Sequence, residues 1–160
     1  MDIRGKKAVV FGGTSGIGLA TCQELQARGA DVIAVSRDPN KAGTSMDGTR
    51  LAAVDARDSN AVSAFFESQE KIDILISSAT GGSRAFGPFL EMDIDGFKGS
   101  FDKLWGYSNV VRYGTAKLGD DGCIVLVSGT PARKIKPGQV ALSAVGGAVE
   151  ALARAIAPEI

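Results

Sequence analysis

The sequence predicts a doubly wound α/β fold, a parallel sheet covered by helices on both faces. Three observations carry this. Short, nearly continuous apolar runs such as Ala8–Phe11 and Ile72–Ser77 recur along the chain, as in strands buried on both faces. Between them lie stretches whose apolar residues have helical spacing. The first run also ends in Phe11-Gly12-Gly13-Thr14-Ser15-Gly16-Ile17-Gly18, a glycine-rich turn that leads directly into a helical stretch.

Lys6–Gly12, a β-branched run ending in glycine, reads as the first strand. The helix after it carries Ile17, Ala20 and Leu25 on one face and is closed by Gly29. Asp31–Ser36 and Arg50–Asp55 read as the second and third strands, and the polar stretch 38–49 between them predicts a short or absent helix. Asp58 or Ser59 caps a helix striped by Ala61, Val62, Phe65 and Phe66, and Ile72–Ser77 follows as the fourth strand. A glycine-rich loop, Thr80–Gly87, leads to a long helix from about Phe97 to Lys117. Cys123–Ser128 is the fifth strand and Val140–Ala157 an alanine-rich last helix.

Composition narrows the function. With 160 residues, 44% of them hydrophobic and 22% charged, the chain suits one domain over 1–160. Eighteen basic residues balance eighteen acidic ones, so no bulk charge draws the chain to nucleic acid or to an anionic membrane. The amino-terminal apolar run, Ala8–Phe11, is too short for a signal peptide or a span. Cys22 and Cys123 form no Cys-x-x-Cys pair and read as reduced thiols, so a cytoplasmic protein is expected. Histidine is absent, which excludes Ser-His-Asp triads, imidazole bases and nearly all ordinary zinc sites; no metal is expected.

In a strand–glycine turn–helix unit, backbone N–H groups at the helix amino terminus can face a pyrophosphate. Gly12 permits the tight turn, Gly16 the close approach and Gly18 the packing of helix on strand, with Thr14, Ser15 and Ile17 completing the cradle. A plain strand-to-helix turn would show the same glycines, but the strand before and the helix after favour a dinucleotide site. The second strand ends Ser36-Arg37. An arginine there pairs with a 2′-phosphate, whereas a carboxylate would bond ribose hydroxyls. NADP is therefore the expected cofactor, while Asp38 keeps NAD open.

With these residues in place, the chain resembles the short-chain dehydrogenase/reductase family, whose fold is the Rossmann fold, along its whole length. The turn Phe11–Gly18 is similar to that family's TGxxxGIG segment, with Phe11 for the usual threonine. Asp55-Ala56 resembles the segment that holds the adenine ring, and Ser77-Ser78-Ala79-Thr80-Gly81 stands where the family carries Asn-Asn-Ala-Gly against the cofactor. Gly122–Gly129 is similar to the fifth-strand segment that delivers a catalytic serine. The family's Tyr-x-x-x-Lys, however, superimposes on Leu142 and Gly146, its assisting asparagine on Lys103, and the second serine of its pair on Gly129. Ser128 is the nearest surviving hydroxyl. Tyr107 and Tyr113 lie upstream in the long helix and read as packing residues.

Hydride arriving at an ordinary ketone leaves negative charge on oxygen, which needs an acid or an oxyanion site. Leucine and glycine supply neither. The expectation is an atypical NADP-dependent oxidoreductase with a small-molecule substrate such as an imine or iminium or another activated acceptor. The segment Pro131-Ala132-Arg133 and the missing pair are similar to divergent family members of secondary metabolism that reduce an iminium with NADPH. Ser128, Arg133 and Lys103 are the candidate catalytic residues, Arg133 leading the basic loop Thr130–Gln139 that also holds Lys134 and Lys136. The alternatives are a non-catalytic NADP-binding module or an inactive fragment. The resemblance further implies two more strands after Ile160, an edge at strand five that needs covering, and a homo-oligomer built through the last two long helices.

Overall fold

Strand alternation divides the apolar side chains between two cores. Ala8 and Val10 point to one side of the first strand, Val9 and Phe11 to the other, and all four are essentially inaccessible to solvent. The computed structural model describes residues 2–40, 48–80 and 82–160. The helix question within 38–49 therefore falls largely outside the described residues, as does Gly81. The strands are β1 (Lys7–Phe11), β2 (Asp31–Ser36), β3 (Arg50–Ala53), β4 (Ile72–Ser77) and β5 (Leu118–Leu126). They form one parallel sheet in the order β3-β2-β1-β4-β5.

One core joins Ala8, Val10, Val32, Ala34, Ile74 and Ile76 to α1 (Gly16–Ala27) through Cys22. The other joins Val9, Phe11, Ile33, Val35 and Leu75 to α2 (Ser59–Glu67) and to α4 (Asp102–Gly114) through Val62, Phe66 and Val110. Each such valine, leucine or isoleucine contributes roughly 1.5–3 kcal/mol on burial, so the two faces together supply the main driving force for the fold. Asp58, and not Ser59, caps α2: its carboxylate accepts from the amides of Asn60 and Ala61, each at 3.0 Å. At the start of the sheet, Asp73 accepts from Lys6 Nζ at 2.8 Å and from the Lys7 amide at 2.9 Å, tying β4 to β1.

Three expectations need correction. Ile17 and Ala20 do not face the core; Ile17 is 66% exposed, and α1 buries Gly18 and Cys22 instead. The helix is rotated this way because Gly18 must lie flat against the Gly12 carbonyl. The predicted long helix is two: α3 (Ile94–Ser100) ends at Phe101 and α4 begins at Asp102. Gly96 and Gly99 weaken α3. It is held elsewhere, by the Ser100 hydroxyl accepting from the Ala85 amide at 3.0 Å and by Phe97 packed on Phe89. The fifth strand starts at Leu118 rather than Cys123, with 119–122 bulging out where Leu118 pairs with Ile72 but Cys123 with Ile74.

The last helix, α5 (Val140–Ile156), buries the stripe Ala141, Val145, Gly146 and Val149. By length and hydropathy alone, Val140–Glu159 also matches a membrane-crossing helix.

Candidate functional site

Because all the strands run in parallel, their carboxyl ends share one edge, and the direction of winding reverses between β1 and β4. Ligands of open α/β sheets bind at such a reversal. Here the Ser78 amide and hydroxyl both donate to the Phe11 carbonyl, at 2.9 and 3.0 Å, so the chain ends after β1 and β4 are locked side by side. Gly12 has φ +79°, and a Cβ on it would stand 2.6 Å from the Ala79 nitrogen. Only glycine fits. Gly16 has φ +51° with open space around its Cα, and a Cβ on Gly18 would run into the Gly12 carbonyl. Gly13, which the sequence did not single out, is equally constrained, its Cβ position lying 2.9 Å from Cys22 Sγ.

A cleft of about 540 Å³ opens at this edge. Of the predicted cofactor residues, Gly12, Thr14, Ser15, Ser36, Arg37, Asp55, Ala56 and Ala79 line it. Ser36 Oγ is buried without a hydrogen-bond partner, as is Ser77 Oγ. Ser36 lines the cleft beside Arg37, whereas Ser77 is sealed inside the end of β4. The Asp55 carboxylate is already engaged: Arg57 donates from Nε to both its oxygens at 3.0 and 3.1 Å, and holds its carboxyl below the usual carboxylate range. Arg57 reaches on to Asp102 at 3.2 Å, which joins the end of β3 to α4. The signal for Arg57 was its place two residues after Asp55.

A second cavity, about 350 Å³, lies on the other side of β1's end. Its walls are apolar, with Ile17, Phe86, Val127, Pro131, Leu142 and Val145 among them, and Ser78 and Ser128 also line it. Thr80 and Lys103 border both spaces. They mark the junction. Lys103 lies 5.3 Å over the ring of Tyr107; burial, and then the nearby Arg84, push its amine below the ordinary lysine value. Tyr107 is fully buried, donates to the Val127 carbonyl at 2.9 Å, and has its phenol pushed up by desolvation. Tyr113 packs against the second core. Neither tyrosine is a candidate acid.

The three predicted catalytic residues are brought together only in part: Lys103 and Ser128 share the smaller cavity, and Arg133 does not. Lys103 is at the junction. Ser128 lines the smaller cavity, with its hydroxyl donating to the Gly146 carbonyl at 3.1 Å and 3.5 Å from Glu150 Oε1. Arg133 lines neither space; its Nε donates to the two Glu150 oxygens at 3.1 and 3.2 Å. Lys134 and Lys136 are exposed. Glu150 was not anticipated, because only the fold sets it opposite Arg133, one helical turn beyond Gly146. Gly146 itself has no room for a side chain: its Cβ would lie 2.8 Å from that of Ala132. The turn at Thr130–Ala132 thus occupies the space beside the helix that a longer residue would need.

The family model described as short chain dehydrogenase matches residues 6–160. L-xylulose reductase of Mesocricetus auratus is 29% identical, with 100% of this chain aligned to 68% of that protein. Carbonyl reductase [NADPH] 2 of Sus scrofa shows the same identity over the same shares. Among solved structures, a short-chain type dehydrogenase/reductase from Mycobacterium ulcerans superimposes with TM-score 0.90 at 23% identity, over 99% of this chain and 64% of that one. A small-chain dehydrogenase in complex with NADPH gives TM-score 0.82 at 28% identity, over 96% and 64%. The chain thus spans about two thirds of the length of these proteins. A match to the family model over nearly every residue, on a sheet wound in this order with its glycine turn at the reversal, leads to one conclusion: the chain belongs to the short-chain dehydrogenase family.

Proposed function

We propose that this chain is an NADP(H)-dependent oxidoreductase that reduces an activated C=N or C=O acceptor without the tyrosine and lysine its relatives' pattern would supply. The observation that carries the reading is the junction itself: two spaces meet at Thr80 and Lys103, with Leu142 and Gly146 where an acid would stand. The residues present fit the cofactor, since the glycines leave the turn open to a pyrophosphate and the unpartnered Ser36 hydroxyl and Arg37 are paired donors for a 2′-phosphate. The name of the NADPH-linked porcine relative and the NADPH-bound solved structure support the same choice; a carveol dehydrogenase solved with NAD is also similar in fold. When bound, the nicotinamide supplies a hydride.

Lys103 then has a defined task. Its amine faces the junction, and its lowered pKa eases release of a proton to the nitrogen or oxygen that gains electron density. Within the imine and iminium class, a neutral imine fits better than a permanent iminium cation, because no carboxylate among the described residues lines the smaller cavity, whereas Arg84 and Lys103 do.

The test starts with fluorescence titrations of the chain with NADPH and NADH, in which the 2′-phosphate should tighten binding by about tenfold or more. NADPH oxidation should then follow with a cyclic imine such as 2-methyl-1-pyrroline and be absent with an unactivated ketone. As pH rises, kcat/KM should fall through a pKa below that of a free lysine, as the ammonium is lost. Lys103→Arg should remove that limb, and Lys103→Met should lower kcat about a hundredfold or more. An alkaline limb unchanged in Lys103→Arg overturns the role of Lys103, and tight NADPH binding without turnover on any acceptor makes the chain a binding module.

A further inference from the structure

The 350 Å³ cavity has an uneven charge, of which the proposed chemistry uses only Lys103. Its walls are apolar apart from the hydroxyl-bearing side chains of Ser78, Thr80, Ser128 and the buried Ser100, and among the described residues its ionised lining residues are two cations, Arg84 and Lys103. No carboxylate among the described residues lines it. The acidic groups around it are committed elsewhere: Asp102, next to Lys103 in the chain, is paired with Arg57 at 3.2 Å, and Glu150 with Arg133 at 3.1 Å. Neither Arg84 nor Lys103 has a hydrogen bond or ion pair among the described residues. The two are close enough for the Arg84 charge to bear on the Lys103 amine.

Two cations facing one apolar chamber repel each other, and a bound anion would relieve this. Arginine presents a planar fork suited to carboxylate or phosphate oxygens, on a loop at the chamber's mouth, while Lys103 stands deeper at the junction with the cofactor cleft. Building on the reductase reading, we propose that the substrate is an apolar molecule bearing one anionic group, a carboxylate or a phosphate, which Arg84 takes at the mouth while the apolar body lies against Phe86, Leu142 and Val145. This placement orients the reducible bond toward Lys103. It also makes Arg84 a residue that determines specificity.

Binding decides this without any turnover. The NADPH-loaded chain is titrated by calorimetry with 3-phenylpropanoate, with 3-phenylpropanamide and with phenyl phosphate. The expected result is that at least one of the two anions binds about tenfold or more tightly than the amide, with the advantage shrinking as salt is raised. Arg84→Gln should abolish that advantage and Arg84→Lys should keep part of it; the residue is exposed, so the fold should tolerate both. The relative strength of carboxylate and phosphate identifies which anion the site takes. Equal binding of acids and amide, an anion preference unchanged in Arg84→Gln, or no binding of any probe overturns the proposal. An Arg84→Gln variant that loses NADPH affinity with no anion preference at the chamber also overturns it, since the arginine would then serve the cofactor. Anion preference without turnover leaves this site standing and removes the reductase reading.

Discussion

At the residue scale, the glycines of the turn are not equivalent. Gly18 is fixed by its neighbours, because a Cβ there meets the Gly12 carbonyl, a backbone atom that cannot rotate away. Gly16 is fixed by its own backbone: φ is +51°, and the space around it is empty. Gly18→Ala should therefore separate α1 from the turn and destabilise the fold by about 2 kcal/mol or more, by overpacking. Gly16→Ala should cost about 1–2 kcal/mol of left-handed strain. Urea unfolding of the two variants checks the order. Equal losses would mean that packing against Gly12 is not what holds Gly18. Cys22 illustrates burial acting alone: with no charged partner, desolvation pushes its thiol up to about 11, which makes it a filler of the first core and not a reactive group.

At the element scale, α4 connects the sheet with the site. Gly106 lets it approach Ala56, Asn109 donates from Nδ2 to the Ala56 carbonyl at 3.0 Å, and Lys103 and Tyr107 on the same helix border the cleft. At its far end, a Cβ on Gly114 would be 2.5 Å from Leu75 Cδ2 and 2.8 Å from Phe66 Cζ, two buried core atoms. Alanine is the better helix former by about 1 kcal/mol, but pushing the helix off the sheet costs about 1–3 kcal/mol. Gly114→Ala should thus be neutral to destabilising. In α5, Gly147 has nothing within reach of its Cβ, so Gly147→Ala should stabilise by up to about 1 kcal/mol. Thermal unfolding of the pair measures the difference, and a gain at both positions would contradict the close approach of α4.

At the scale of the whole molecule, burial is concentrated in the middle of the sheet. β1, β2 and β4 are covered on both faces, while Phe86, Phe89 and Leu90 before α3 and Ile94 at its start are more than half exposed. Native-state hydrogen exchange should be slowest for the amides of 8–11, 32–35 and 74–77 and fastest for 82–92. Adding NADPH should slow exchange at 12–18 and 36–37, the turn and the end of β2, without changing 118–126. Protection spread evenly over the chain would mean that the cofactor acts on global stability and not on the proposed site. Among the described residues β3 and β5 are the two edges of the sheet, Val125 of β5 being 45% exposed, and a homo-oligomer remains our proposal for covering the faces of α4 and α5.

The sequence by itself determined the winding of the sheet and the place of the turn. Nearly continuous apolar runs and glycines at a strand end are local properties, set by steric limits on a few consecutive residues. It also showed that histidine is absent and that leucine and glycine stand at 142 and 146, facts that need no coordinates. The tertiary structure decided what depends on contacts between residues far apart in the chain. The rotation of α1 that exposes Ile17, the break at Phe101, the reach of Arg57 to Asp102, the capture of Arg133 by Glu150, and the placing of Arg84 and Lys103 on one cavity all follow from packing that no local pattern encodes. A charged side chain's role is set by which partner it finds, and that partner is found only when helices dock on the sheet.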